Sequence, residues 1–117
     1  MDAIPEKYMH DHAIVRETAE QIIRDLKLAG FEISFSDNPY NAFDELKIQL
    51  IPVIRKLIKE DSHSFHALLY RVDINERDYN KALAESGNND REEKLSELII
   101  RREFQKVLTR KYFSENK

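Results

Sequence analysis

Apolar side chains recur every three or four residues along most of this chain, which is the period of a helix buried on one side. The first such stretch is expected from about His10 to Ala29, with Val15, Ala19, Ile22, Ile23, Leu26 and Ala29 on one side and Glu17, Glu20, Arg24 and Lys27 on the rest. Gly30 is placed to stop it, because glycine takes the left-handed conformation without a Cβ clash. Residues Phe31 to Asp37 change period. Phe31, Ile33 and Phe35 alternate with Glu32, Ser34 and Ser36, the pattern of extended backbone. A lone strand has no sheet partner here, so the expectation is an extended loop that pins apolar side chains onto a helical bundle.

Asn38-Pro39 opens a second helix, asparagine as a cap and proline in the first turn, where its missing N–H costs nothing. Its stripe is Phe43, Leu46, Leu50, Ile54 and Leu57, widened by Ile51, Val53 and Ile58. Pro52 falls inside that stripe. It lacks the N–H that would bond Ile48, so a kink or a split near residues 48–52 is expected. Asp61 or Ser62 caps a third helix with Phe65, Leu68, Leu69 and Val72 on its apolar face. A short segment from about Asn75 to Ser86 follows and ends at Gly87. Asn88-Asn89-Asp90 reads as a turn, and Asn89 with Glu92 has the spacing of a capping box. A last helix then runs to about Phe113.

That last helix is unusual. With about 100° between residues, Leu95, Leu98 and Ile99 share one side, whereas Ile100, Phe104, Val107, Leu108 and Tyr112 lie on the opposite one. Arg102, Lys106 and Arg110 continue the line that Leu95 and Ile99 begin. A helix docked on one core keeps its apolar residues on one side. Three arrangements explain this one: the chain covers the helix on both sides, the C-terminal half packs on a second copy, or it receives another partner through spaced apolar anchors. The partner-binding candidates are therefore Ile100, Phe104, Val107, Leu108 and Tyr112.

The 117 residues suit one domain, 1–117, and only two Gly and three Pro punctuate it. A β-sandwich or barrel turns far more often than that. The fold expected is all-α, a small bundle of four to five helices with a Pro-kinked second helix and a long C-terminal one. Its core should include Ile22, Leu26, Phe43, Leu46, Leu50, Ile54, Phe65, Leu69, Leu95 and Ile99. With 41% apolar and 35% charged residues, the chain is too apolar for disorder and too charged for a membrane protein. No signal-peptide core, membrane-length apolar run or glycosylation site is visible, so the expected setting is cytoplasmic.

Candidate chemistry is sparse. Cysteine is absent, which removes thiolate nucleophiles, Cys-ligated zinc and iron–sulfur clusters together. Two glycines cannot build a phosphate-binding loop, no Gly-x-Ser-x-Gly elbow exists, and Asp73-x-Asn75-x-x-Asp78 lacks the turn glycine and terminal Glu of a calcium loop. Glu60, His63 and His66 form one Glu-x-x-His unit plus a second histidine one turn on. Di-iron bundles need that unit twice, with further inward carboxylates, so metal binding stands as a minor alternative. His66, Tyr70 and Asp73 line one stripe at i, i+4 and i+7 and could handle a proton, although such trios are usually structural. The cations Arg101, Arg102, Lys106, Arg110 and Lys111 suit the C-terminal end of a helix dipole. A net charge of −3 weakens the nucleic-acid reading of that face. No cofactor is called for.

The stretches Phe65-His66-Ala67-Leu68-Leu69-Tyr70-Arg71-Val72-Asp73 and Leu98-Ile99-Ile100-Arg101-Arg102-Glu103-Phe104-Gln105-Lys106 resemble a group of small bacterial helical proteins of unknown function. The resemblance implies a bacterial, cytosolic setting and brings no activity, cofactor or site residue with it. The leading expectation is a non-enzymatic interaction or accessory protein that self-associates through its C-terminal helix. A small metal-binding or enzymatic bundle using His63 and His66 is the alternative, and weak nucleic-acid binding by the last helix a further one.

Overall fold

The computed structural model describes residues 6–87 and 90–115. Among them lie six helices, α1 (Glu6–Met9), α2 (His12–Leu28), α3 (Ala42–Glu60), α4 (Ser62–Val72), α5 (Glu76–Glu85) and α6 (Arg91–Glu115), and no strand. The all-α expectation holds, but the count exceeds four to five because the short α1 precedes the expected first helix, which begins at His12. Asp11 accepts a hydrogen bond from the Ile14 N–H at 3.1 Å and caps α2. A carboxylate satisfying a first-turn N–H starts a helix there, leaving α1 as a separate turn. No described helix is long and apolar enough to cross a membrane.

The remaining boundaries follow their caps except the start of α3, which lies at Ala42 after Asn41 with no side-chain cap bond, and not at Asn38-Pro39 as expected. Gly30 has φ +93°, Phe31 N–H bonds Leu26 C=O at 2.9 Å and Gly30 N–H bonds Lys27 C=O at 3.0 Å, which is the Schellman ending. Asp61 caps α4 by accepting from the Ser64 N–H, and Asn75 caps α5 by accepting from the Asp78 N–H. Asp73 ends α4 in the left-handed region, φ 68°, which a short polar side chain tolerates. The capping role expected of Asn89 lies outside the described residues. The Asp90 carbonyl accepts from Lys94 N–H at 2.9 Å and so opens α6.

Pro52 neither splits α3 nor sits in its buried stripe. Helix α3 is continuous from Ala42 to Glu60, and Pro52 is exposed beside Ile48, which is 68% exposed. The carbonyl that loses its partner therefore faces water, where solvent replaces the bond.

Helix α6 is the axis of the bundle, packed against α2, α3, α4 and α5. The main core joins Ile22 and Leu26 of α2, Leu46, Leu50 and Ile54 of α3, Phe65 and Leu69 of α4, and Leu95 and Ile99 of α6. All nine belong to the expected core. The tenth, Phe43, is half-buried at its edge. A second cluster of Ile14, Val15, Ala42, Phe104 and Val107 continues toward the N-terminus of α2.

The segment after α2 is extended and unpaired, as its alternation implies, with Phe31, Ile33 and Phe35 turned onto the core. Its backbone partners are side chains of α3. Gln49 accepts from the Ser34 N–H at 2.8 Å and donates to the Ser34 C=O at 2.7 Å, while Glu45 accepts from the Ser36 N–H at 2.7 Å and from its hydroxyl at 2.8 Å. Residues four apart on a helix face the same way, so they serve alternate residues of the extended segment.

Two outcomes are expected in urea denaturation. Gln49→Ala should cost about 1 kcal/mol or more, since the half-buried amide loses its bonds to Ser34 N–H, Ser34 C=O and Glu45 C=O, and water recovers part of each. Pro52→Ala should raise stability by about 1 kcal/mol or more, by restoring the bond to Ile48 and removing the ring.

Candidate functional site

The residues expected to receive a partner are largely occupied. Ile100 is 2% exposed, Phe104 7% and Val107 0%. Leu108 is half-buried against the second cluster, and the Tyr112 side chain lies outside the described residues. Of the three arrangements open to a helix with two apolar sides, the chain adopts the first: the main core covers Leu95 and Ile99, and α2 with the start of α3 covers Phe104 and Val107. Ile100, Phe104 and Val107 present no outer stripe, because their apolar surface is already removed from water inside the same chain.

A cleft opens beside that second cluster. It is a small recess of about 60 Å³, partly open to solvent, with Met9, His10 and Tyr40 at its exposed rim and Phe43, Ile100 and Phe104 further in. The His10 and Tyr40 rings stack with centroids 4.7 Å apart. Met9 is 38% and Tyr40 78% exposed. The aromatic and Met rim is of the kind interfaces favour. Just beyond, Arg16 donates through Nε to Asp37 Oδ1 at 3.0 Å and through its terminal nitrogen to Oδ2, and His12 sits 3.3 Å from Oδ1. The Arg16 hydrogen bond holds the Asp37 carboxyl below its usual range.

The metal alternative does not assemble. Glu60, His63 and His66 are all exposed, and among the described residues no group of three or more His, Asp or Glu side chains is placed to hold a metal ion. Glu60 ends α3 while His63 and His66 ride the outer face of α4, so nothing draws the three inward. The proton-handling trio fails similarly. Tyr70 is 88% exposed, and the Asp73 carboxylate is held by Arg102.

The cations of α6 are engaged with the protein itself. Arg102 donates to the Asp73 C=O at 2.9 Å and its carboxylate at 2.7 Å, and Lys106 donates to the Val72 C=O at 3.2 Å. Both satisfy the carbonyl end of α4, where a helix dipole favours positive charge. Lys111 pairs with Glu17 at 3.3 Å, and the Arg101 guanidinium lies 5.8 Å from the centre of the Phe43 ring. The dipole explanation is right in kind, but the dipole of α4 is the one being met.

A buried polar group was missed in the sequence. Glu103 on α6 is fully buried and Asp25 on α2 is 3% exposed. They lie within hydrogen-bonding reach of each other. Lys106 Nζ donates to Glu103 Oε1 at 2.8 Å and Gln21 Nε2 to Asp25 Oδ1 at 3.3 Å. No N–H or hydroxyl donor meets Asp25 Oδ2 or Glu103 Oε2. Burial, together with Asp25, pushes the Glu103 carboxyl up to about 8, against the pull of Lys106. The signal was present: at helical spacing Glu103 falls between Ile99 and Val107, in the middle of the arc that joins the two apolar sides.

Arg102→Ala should cost about 1 kcal/mol in urea denaturation, because the exposed ion pair contributes little and the lost carbonyl bond somewhat more. Comparison of the chain with protein-family models, with curated proteins and with solved structures found no match.

Proposed function

We propose that the protein is a non-enzymatic interaction module that pairs with a second copy of itself through the cleft between α1 and the start of α3. The observation that carries this reading is an apolar knob beside an apolar hole. Met9 and Tyr40 stand exposed at the rim of a cleft whose inner wall is Phe43, Ile100 and Phe104. A two-fold contact uses the same patch on both partners, so that patch has to carry both the projecting group and the recess that receives it. In this arrangement α6 contributes by lining the recess. Its C-terminal half need not leave its own bundle.

Tyr40 is the anchor in this reading. An aromatic side chain brings large contact area and little conformational freedom to lose, which is why such residues dominate binding energies. Stacking on His10 already restrains the ring in the single chain, reducing what association must still order.

Sedimentation equilibrium from micromolar to millimolar protein tests the proposal. The expected outcome is a concentration-dependent dimer that Tyr40→Ser weakens by about tenfold or more, as for an interface anchor. Because Tyr40 is exposed, the variant should retain the helical circular dichroism of the parent. A parent chain that stays monomeric throughout would overturn the reading.

A further inference from the structure

The Asp25–Glu103 pair takes no part in the cleft, and its environment is hard to reconcile with two ionised carboxylates. Each is removed from water, and each has one oxygen that no N–H or hydroxyl donor reaches. Buried polar groups without partners are uncommon, and two unscreened like charges side by side are costlier still. One proton placed between the carboxyls removes both difficulties, since the protonated group donates and the other accepts.

The surrounding charges count the same way. From α6, Lys106 meets Glu103 Oε1, but its ammonium is shared with the Arg71 and Val72 carbonyls of α4 at 3.5 and 3.2 Å. Arg102, one residue before Glu103, is turned to Asp73. From α2, Gln21 meets Asp25, and Arg24 is directed at Gln21 Oε1 at 2.9 Å. From α4, the Arg71 guanidinium is directed at the backbone carbonyl of Asp25 at 3.2 Å, away from the carboxyls. The charges acting on Glu103 come from Asp25 and Lys106. With one proton in the pair, the remaining carboxylate balances Lys106. Without it, one buried negative charge has no counterpart.

We propose that Asp25 and Glu103 form a proton-operated latch between α2 and α6: one proton held between them clasps the helices, and its loss loosens the part of α6 that carries Phe104 and Val107 from Ile14 and Val15. These four residues belong to the second cluster, and Phe104 follows Glu103 directly, so weakening at the pair falls on that contact first. The latch is independent of what fills the cleft.

Glu103 binds its proton more tightly in the folded chain than in the unfolded one, where an ordinary glutamate near 4.5 is expected. Its contribution to stability is complete below that lower value and is lost as pH rises toward about 8. In the native protein, a carbon-detected titration of the glutamate carboxyls should show one group changing near pH 8, with the protonated form in the majority at neutrality. The urea midpoint of the parent should fall between about pH 5 and about pH 8 and level off above that, whereas Glu103→Gln, a neutral isostere, should lose that fall. Asp25→Asn should move the titration to lower pH, because the neighbouring carboxylate is gone. Amide exchange in the C-terminal half of α6, corrected for the intrinsic rate, should quicken by about tenfold or more over the same range. If every glutamate titrates below about pH 5.5, or if Glu103→Gln keeps the parent's pH dependence, the latch is wrong. Should Glu103→Gln fail to fold, the titration of the parent decides alone. The titration on Tyr40→Ser separates this proposal from self-association, since it should be unchanged there.

Discussion

Everything in this bundle is arranged around the burial of α6 on more than one side. A surface helix needs only one stripe covered, but α6 places Leu95 and Ile99 in the main core and Phe104 and Val107 in a second cluster. Four other helices pack against it to do so. The extended segment after α2 belongs to the same arrangement. It brings Phe31, Ile33 and Phe35 over the flank of the bundle, and Gln49 and Glu45 of α3 replace the sheet partner it lacks. A backbone stretch outside helix and sheet has to find partners somewhere, and two side chains one turn apart supply them.

Covering a helix so broadly draws polar positions inside with the apolar ones. Ser96 and Thr18 are both buried, and their hydroxyls return to carbonyls of their own helices at 2.7 and 2.8 Å. Glu103 and Asp25 have no such local solution and meet each other across the α2–α6 contact. Next to them, Lys106 and Arg102 reach the end of α4, so cations expected to serve the C-terminal dipole of their own helix instead close a neighbouring one. A buried polar cluster adds less to stability than apolar packing of the same volume, yet makes the contact sensitive to its own protonation. The cleft at α1 has the opposite character. Its walls are apolar, its rim is exposed, and the stacked His10 and Tyr40 rings mark where the bundle meets its surroundings.

Legibility in the sequence followed the range of the interaction concerned. Gly30, Asp61 and Asn75 act within a few residues of themselves, so the helix ends they set could be read directly. Nine of ten expected core residues are buried for the same reason: spacing along one helix decides which side chains share a side. Pro52 was misplaced because the arc that faces water depends on neighbouring helices. The start of α2 at His12 rested on the Asp11 cap, whose bond is local but whose position also fitted the interior of a helix begun at His10. The cleft was invisible, since Met9, Tyr40 and Phe104 come from distant parts of the chain.

The sequence by itself determined the all-helical class, the helix-ending residues and the two-sided character of α6, because periodicity and capping are short-range properties of the backbone. Only the tertiary structure decided what covers the second side of α6, which cations meet which helix end, and that Glu103 faces Asp25. Those outcomes depend on how separate helices dock, and docking removes water from particular atoms. No count along the chain reveals which atoms those will be.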